Sequence, residues 1–411
     1  MDRRHFLLQS AALTLATTGL QCTASQGLTG PSQATGRKEK HRVAIIGCGR
    51  MGQYYAEVYR ALPDTELVAI AEWNPERRKA VGKRFGVKAL YKDVHAMLKD
   101  IVPDIAAVIT PTKFMKDAVI ACAEAGVKGV STDKPIAAHL SDADAMVEVC
   151  KQRGVVFAGG NLQRAKWNVQ EAAHQLNKGK WGTLQGVSVH NFGGEISGGG
   201  CQHLSILRLF TRAEVKEVIA WGSPLEALAP EKNDTGLIIN GLFYLSSGLE
   251  VTVFGQKTPY RGVEAWTEDT LVRWNWNEPQ VFHGTDTKGA RQEVDPQYAP
   301  NLWLDYFNQA KGTIPGTKHT PWYGDDYLIT SIRSLLDAVD KGRELFISGH
   351  DLRQALEVAI ACKLSARLGN RPVRLPLEDR SLALYPRPYR WLGGDVTNRP
   401  QSPEAAAGKT S

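Results

Sequence analysis

The residues with the clearest chemical purpose are six in a row. Gly47-Cys48-Gly49-Arg50-Met51-Gly52 follows the run His41-Arg42-Val43-Ala44-Ile45-Ile46 and precedes a helical pattern through Tyr59. A Gly-x-Gly-x-x-Gly series alone is weak evidence, but a strand before it and a helix after it give each glycine a task. Gly47 permits a tight turn, Gly49 lets backbone approach a pyrophosphate, and Gly52 lets helix pack on strand. The diphosphate would rest on N–H groups at the positive helix end, so the whole segment, Cys48, Arg50 and Met51 included, is assigned to a dinucleotide. The next strand, Leu67-Val68-Ala69-Ile70-Ala71, ends at Glu72, where an acid grips ribose hydroxyls and repels a 2′-phosphate. NAD is therefore favoured over NADP. Arg77 and Arg78, one turn further on, read as a solvated helix face.

These groups need a sheet to hold them. Helix 75–84, strand 106–109, helix 114–125, strand 128–131, helix 141–153 and strand 155–158 alternate, which predicts a doubly wound parallel sheet over 41–160. Beyond it, strand-like runs at 187–192, 215–221, 236–243, 249–254, 263–266 and 271–276 are separated by turn residues. The fold class is thus α/β, a Rossmann domain followed by an α+β domain over 161–377 with an open, mostly antiparallel sheet. Residues 378–411 are set aside as a tail. An open sheet needs cover, so a homo-oligomer formed through it is expected.

Two further segments sit at strand ends: Thr110-Pro111-Thr112 and Asp133-Lys134-Pro135. With the glycine turn they resemble the Gfo/Idh/MocA family of sugar and polyol oxidoreductases, whose hallmark at the second segment is Glu-Lys-Pro. Gln163-Arg164, Gly179-Lys180-Trp181-Gly182, Gly198-Gly199-Gly200 before His203, and Ser348-Gly349-His350-Asp351 follow in order. The resemblance covers roughly 41–377. It implies that substrate lies between the domains against the nicotinamide, that Lys134 is the catalytic lysine, and that His203 is the active-site histidine. It also assigns Thr110, Pro111, Asp133, Gln163 and Arg164 to the cofactor. An ammonium can stabilise alkoxide character as hydride leaves carbon, and a histidine can take the proton.

Three positions depart from the family pattern. Asp133 replaces the glutamate, Met115 stands where a histidine is usual, and Gly199 stands where an aspartate precedes the histidine by one turn. About one helical turn is missing, which predicts His203 near a helix start, where the macrodipole disfavours the imidazolium. Glu195, Asp325 and Asp326 are candidates for the absent carboxylate. His190, His319 and Tyr323 are candidate substrate contacts, as are Glu195 and Asp325. The aromatic stretch from Trp266 to Trp276, with Trp322, could offer platforms for sugar faces.

The N-terminus reads Met1-Asp2-Arg3-Arg4-His5-Phe6-Leu7-Leu8, followed by an uncharged stretch to Cys22. That layout resembles a twin-arginine signal peptide over 1–25, with 26–40 a flexible arm, and predicts a periplasmic protein. Lipid attachment at Cys22 is disfavoured because Gly19-Leu20-Gln21 is a poor lipobox. The apolar stretch is too short and polar for a spanning helix. The 411 residues, 43% hydrophobic and 23% charged with a net charge of +7, show no single-sign run tracking a groove, so no nucleic-acid partner is expected. Six scattered cysteines predict neither a disulfide framework nor a metal site. The expected ligands are NAD and a small sugar, polyol or glycoside. A trapped cofactor in an exported protein must return to its starting state. Alternating oxidation and reduction of two sugars satisfies this, as does a redox-neutral glycoside hydrolase or lyase acting through a transient 3-keto sugar. A non-catalytic sugar- or dinucleotide-binding protein is the remaining alternative.

Overall fold

A parallel strand is buried on both faces, so its sequence is a short unbroken apolar run. Six segments of the first half behave this way: β1 (His41–Ile46), β2 (Thr65–Ala71), β3 (Leu90–Tyr91), β4 (Ile105–Val108), β5 (Gly129–Thr132) and β6 (Val156–Gly159). They form one parallel sheet in the order β3-β2-β1-β4-β5-β6, with helices on both faces. The strand order reverses between β1 and β4, which opens a crevice at their carboxyl ends. The computed structural model describes residues 28, 30–36, 38–160, 162–256, 261–284, 291–310 and 325–392, with backbone alone for 35, 307–310, 325 and 326.

The second half switches to alternation. β7 (Gly186–His190), β8 (Val215–Ser223), β9 (Ile238–Leu245), β10 (Glu250–Phe254), β11 (Gly262–Trp266), β12 (Thr270–Trp274), β13 (Gln280–His283), β14 (Gln292–Val294) and β15 (Val373–Arg374) build a nine-stranded sheet. Its order is β14-β13-β12-β11-β7-β10-β9-β8-β15, antiparallel except where β10 pairs with β7. β9 buries every second residue, as one covered face requires. Helices Cys201–Thr211 and Gly349–Arg367 cover the inner face, and the Ser365 hydroxyl accepts from Ala220 N–H at 2.9 Å where the second helix meets β8. β3, β13, β14 and β15 are absent from the sequence reading. They are short or lie toward the sheet edges, where an apolar run is not demanded. The strand expected to reach Trp276 stops at Trp274, because Trp276 adopts φ 74°.

Part of the segment set aside as a tail belongs to the folded body. Its described residues, 378–392, return to it: Ala383 bridges His139, Leu384 is fully buried, and Asp234 N–H donates to the Tyr385 carbonyl at 3.0 Å. The signal-peptide residues 1–25 with Cys22, and residues 393–411, lie outside the described residues. Among the described residues no helix is long and apolar enough to cross a membrane.

One buried ion network ties the halves. Arg333, on helix Asp325–Lys341, is 1% exposed and reaches Asp64 before β2 at 2.6 Å and Asp337 at 2.9 Å. Its guanidinium also lies 4.4 Å from the Trp303 ring centre. Removing the cation leaves two carboxylates buried without it, which is costly. Arg333→Ala is expected to lose about 3–5 kcal/mol of stability, measured as a drop in the urea midpoint.

Candidate active site

The glycine turn is built by close contact. Gly47 has φ 87°, and a Cβ there would stand 2.5 Å from the Ile109 carbonyl oxygen on the neighbouring strand's end. A Cβ at Gly52 would stand 1.9 Å from the Gly47 carbonyl oxygen. Helix Arg50–Ala61 begins at Gly49, and no side chain caps it. That is a cradle for an anion at a helix N-terminus, and the dinucleotide fits it. Glu72 secures the turn from β2: it accepts Cys48 N–H at 2.8 Å, Asn74 N–H at 2.9 Å and Arg77 Nη1 at 3.2 Å. Arg77 is therefore no solvated face. It is buried against Glu72, while Arg78 donates to the Glu72 carbonyl at 2.6 Å. Cys48 is buried, and burial pushes its thiol well up, so it stays protonated. Pro111 heads helix Thr112–Glu124, and the buried Thr110 hydroxyl has no hydrogen-bond partner among the described residues. Met115 is 1% exposed and packs in the core.

Lys134 follows β5 at the same edge of the sheet. Asp133 turns back to accept Lys134 N–H at 2.7 Å, which fixes the backbone from which the lysine projects. The half-buried ammonium has no hydrogen-bond partner among the described residues. Burial first, then Arg390, lowers its pKa, while Cys201, Asp133 and Glu195 pull the other way. Arg390 Nε lies 2.9 Å from Glu195 Oε1, and Arg387 Nε lies 3.5 Å from Glu195 Oε2. Cys201, at the start of its helix, sits among Lys134, Arg390, Glu195 and Asp133; burial raises its pKa to about 12. Lys134, Asp133, Glu195, Cys201 and Arg390 thus form one cluster.

His203 does not belong to that cluster. It stands in the first turn of Cys201–Thr211, as expected, but no turn is missing before it, because Ile196–Gly200 forms a π turn running directly into that helix. The glycine triplet makes the turn possible: a Cβ at Gly198 would stand 2.6 Å from the Glu195 carboxylate, and one at Gly200 would stand 2.9 Å from Phe192. Asp234 caps this run through Ser197 N–H at 2.6 Å, and burial raises its own pKa to about 6. His203 donates Nδ1–H to the Gly199 carbonyl at 3.2 Å and is enclosed by Phe192, Trp274 and Trp276 at ring separations of 5.7–6.0 Å. Its Nε2 is sealed, with no partner among the described residues. Burial, not the macrodipole, lowers its pKa to about 3. Trp274 and Trp276 of the aromatic stretch accordingly enclose a histidine.

Other expected contacts are placed elsewhere. His190 points to the sheet face opposite buried Val189, where it meets Ser188 at 2.7 Å, Glu264 at 3.5 Å and the Phe254 ring, so it cannot touch a substrate held on the inner face. Arg164 is engaged by Asp351 at 3.1 Å, the Phe346 carbonyl at 2.8 Å and the Ser205 carbonyl at 3.3 Å, which makes it an internal tie rather than a cofactor ligand. Gln163 N–H donates to Gln202 Oε1 at 2.8 Å, beside the helix that carries Cys201. His319, Trp322 and Tyr323 lie outside the described residues, as do the side chains of Asp325 and Asp326. Arg387, Arg390, Cys201 and Asp234 were missed by sequence reasoning, since the arginines fall in the supposed tail and no local pattern marks them. Among the described residues no cluster of three or more His, Cys, Asp or Glu could hold a metal ion.

Residues 41–160 match the model of an oxidoreductase family with an NAD-binding Rossmann fold, GFO_IDH_MocA. The chain is similar to myo-inositol 2-dehydrogenase of Thermotoga maritima, with 26% identity over 79% of this chain and 96% of that one. It is 32% identical to D-apiose dehydrogenase of Paraburkholderia graminis, over 37% of this chain and 40% of that protein. Aldose-aldose oxidoreductase from Caulobacter crescentus shares the fold at a TM-score of 0.63, with 20% identity, over 82% of this chain and all of that one.

The buried histidine carries an acid sensitivity. Unfolded, it titrates near 6.5. Below that pH the unfolded chain takes up a proton that the folded chain refuses, so stability falls as pH falls. Between pH 7 and 5 the wild-type urea midpoint is expected to drop more than that of His203→Phe, and the His203 ring protons should not titrate over that range by NMR.

Proposed function

The chain carries the NAD-binding Rossmann domain of the Gfo/Idh/MocA oxidoreductases, and from that premise we propose that it moves hydride between NAD and a hydroxyl carbon of a sugar or polyol. The named relatives act on inositol and apiose, and the first spans nearly the whole of its own length in the comparison. One observation carries the reading: an ammonium without a hydrogen-bond partner, Lys134, at the carboxyl edge of the sheet that bears the glycine cradle. The bound nicotinamide supplies the hydride acceptor. The protein supplies the rest. Gly47, Gly49 and Gly52 bring the backbone close to the diphosphate, and Glu72 stands where ribose hydroxyls are gripped. Lys134 faces the reacting hydroxyl; its ammonium donates to the hydroxyl oxygen and stabilises alkoxide character as hydride leaves carbon and the hydroxyl proton passes to water. His203, sealed on its ring of aromatic side chains, takes no proton from substrate in this scheme. Asp133 positions Lys134 through the backbone, and Cys201 stays a thiol.

The same proposal includes export and self-association. Arg3-Arg4-His5-Phe6-Leu7 supports twin-arginine export to the periplasm, where a retained NAD must be returned to its starting state within each cycle. The outer face of the second sheet exposes Trp221 and Phe254, which supports a homo-oligomer formed there.

Lys134→Ala is expected to lower the rate of nicotinamide reduction, followed at 340 nm over a sugar and polyol panel, by about 1,000-fold. NAD affinity by calorimetry should stay within about threefold. Normal turnover in the variant would remove Lys134 from the chemistry.

A further inference from the structure

The cluster around Lys134 has more positive than negative charge. Lys134, Arg387 and Arg390 face Asp133 and Glu195, while the neighbouring Asp234 is matched by Lys363 and by the helix end it caps. Arg387 and Arg390 share a single carboxylate. Only the Nε atom of each is sealed from water. Arg387 also donates one Nη2 hydrogen to the Gly194 carbonyl at 3.4 Å. Both Nη groups of Arg390 are left without a hydrogen-bond partner among the described residues, and neither is sealed from water. A guanidinium carries five donors in a rigid plane, and its outer pair matches the two oxygens of a carboxylate. The arginine is held in place: the ring of Trp391 lies 6.4 Å from His139 and 5.5 Å from Tyr385, and Ala383 bridges His139 just beyond the loop that carries Lys134. The fork is therefore pre-positioned beside the reacting lysine by a segment packed on the body.

We propose that the open face of Arg390, with Arg387 beside it, binds a carboxylate of the substrate, so that the hydroxyl at Lys134 belongs to a sugar acid. The assignment rests on the oxidoreductase function proposed above. A monoanion balances the surplus charge, whereas a phosphate dianion overshoots it. A neutral polyol leaves the Nη groups to water.

The test uses the full chain loaded with NAD. Glucuronate, galacturonate, mannuronate and gluconate are compared with glucose, galactose, mannose, myo-inositol and glucose 6-phosphate, following 340 nm. The acids are expected to exceed their neutral partners in kcat/KM by about thirtyfold, the size of one hydrogen bond to a charged group. In Arg390→Gln that ratio should collapse toward one through KM, and Arg390→Lys should restore only part of it, because the fork is lost. Equal turnover of acids and neutral sugars by the wild type overturns the assignment and leaves the oxidoreductase function standing. Preference for the phosphate also overturns it. If no compound is oxidised, the oxidoreductase function fails, and calorimetry of glucuronate on the NAD-loaded protein decides the site. Heat that vanishes in Arg390→Gln supports it, and no heat overturns it.

Discussion

The contact between Gly52 and the Gly47 carbonyl is as short as packed backbone permits, and much follows from it. Only hydrogen fits between them, so helix Arg50–Ala61 can press directly on the end of β1. That closeness leaves the helix N-terminus at the floor of the crevice between β1 and β4, with no side chain in front of it. A helix end so placed holds a fraction of positive charge that an anion can meet without paying for reorganisation. Glu72 then reaches the turn from β2 and fixes it through Cys48 N–H. Thr110 and Lys134 stand just past the carboxyl ends of the neighbouring strands β4 and β5.

Two basic side chains, Lys134 and His203, were natural rivals for proton transfer, and their surroundings separate them. Lys134 keeps an ammonium without a hydrogen-bond partner among charged neighbours, whereas His203 is walled in by Phe192, Trp274 and Trp276. Burial disfavours the charged form of both. For the lysine, this brings the amine closer to the range in which it can exchange a proton; for the histidine, it removes the group from that range altogether. The π turn at Ile196–Gly200 explains the difference. It restores a turn of helix by widening it, and so rotates His203 toward the sheet while Cys201 and Glu195 remain on the side of Lys134.

What the sequence made legible follows from the range of each interaction. The glycine turn, Glu72 and five of the six parallel strands depend on neighbours close in the chain, and their residues announce them; the two-residue β3 does not. Lys134 was legible because it sits just past a strand. His190 was misplaced because the parity of a strand residue decides its face, and the start of β7 had to be known to count it. His203 was misjudged because three glycines read as a loop can equally form a wide helical turn. Arg164 was assigned to the cofactor and Arg77 to a solvated face, because their partners Asp351 and Glu72 are identified only by the fold. Arg387 and Arg390 lie some two hundred residues from Glu195, and no periodicity reports such a pairing.

The segment that completes the cluster, Tyr385 to Trp391, is synthesised long after the first sheet. Domains fold in the order of their synthesis. The first sheet, complete at Gly159, can take up its dinucleotide while the second is still being made. Glu195 and Lys134 meet their arginines only once residues 387 and 390 have been made, so a nascent molecule can hold coenzyme before it has a finished reaction chamber.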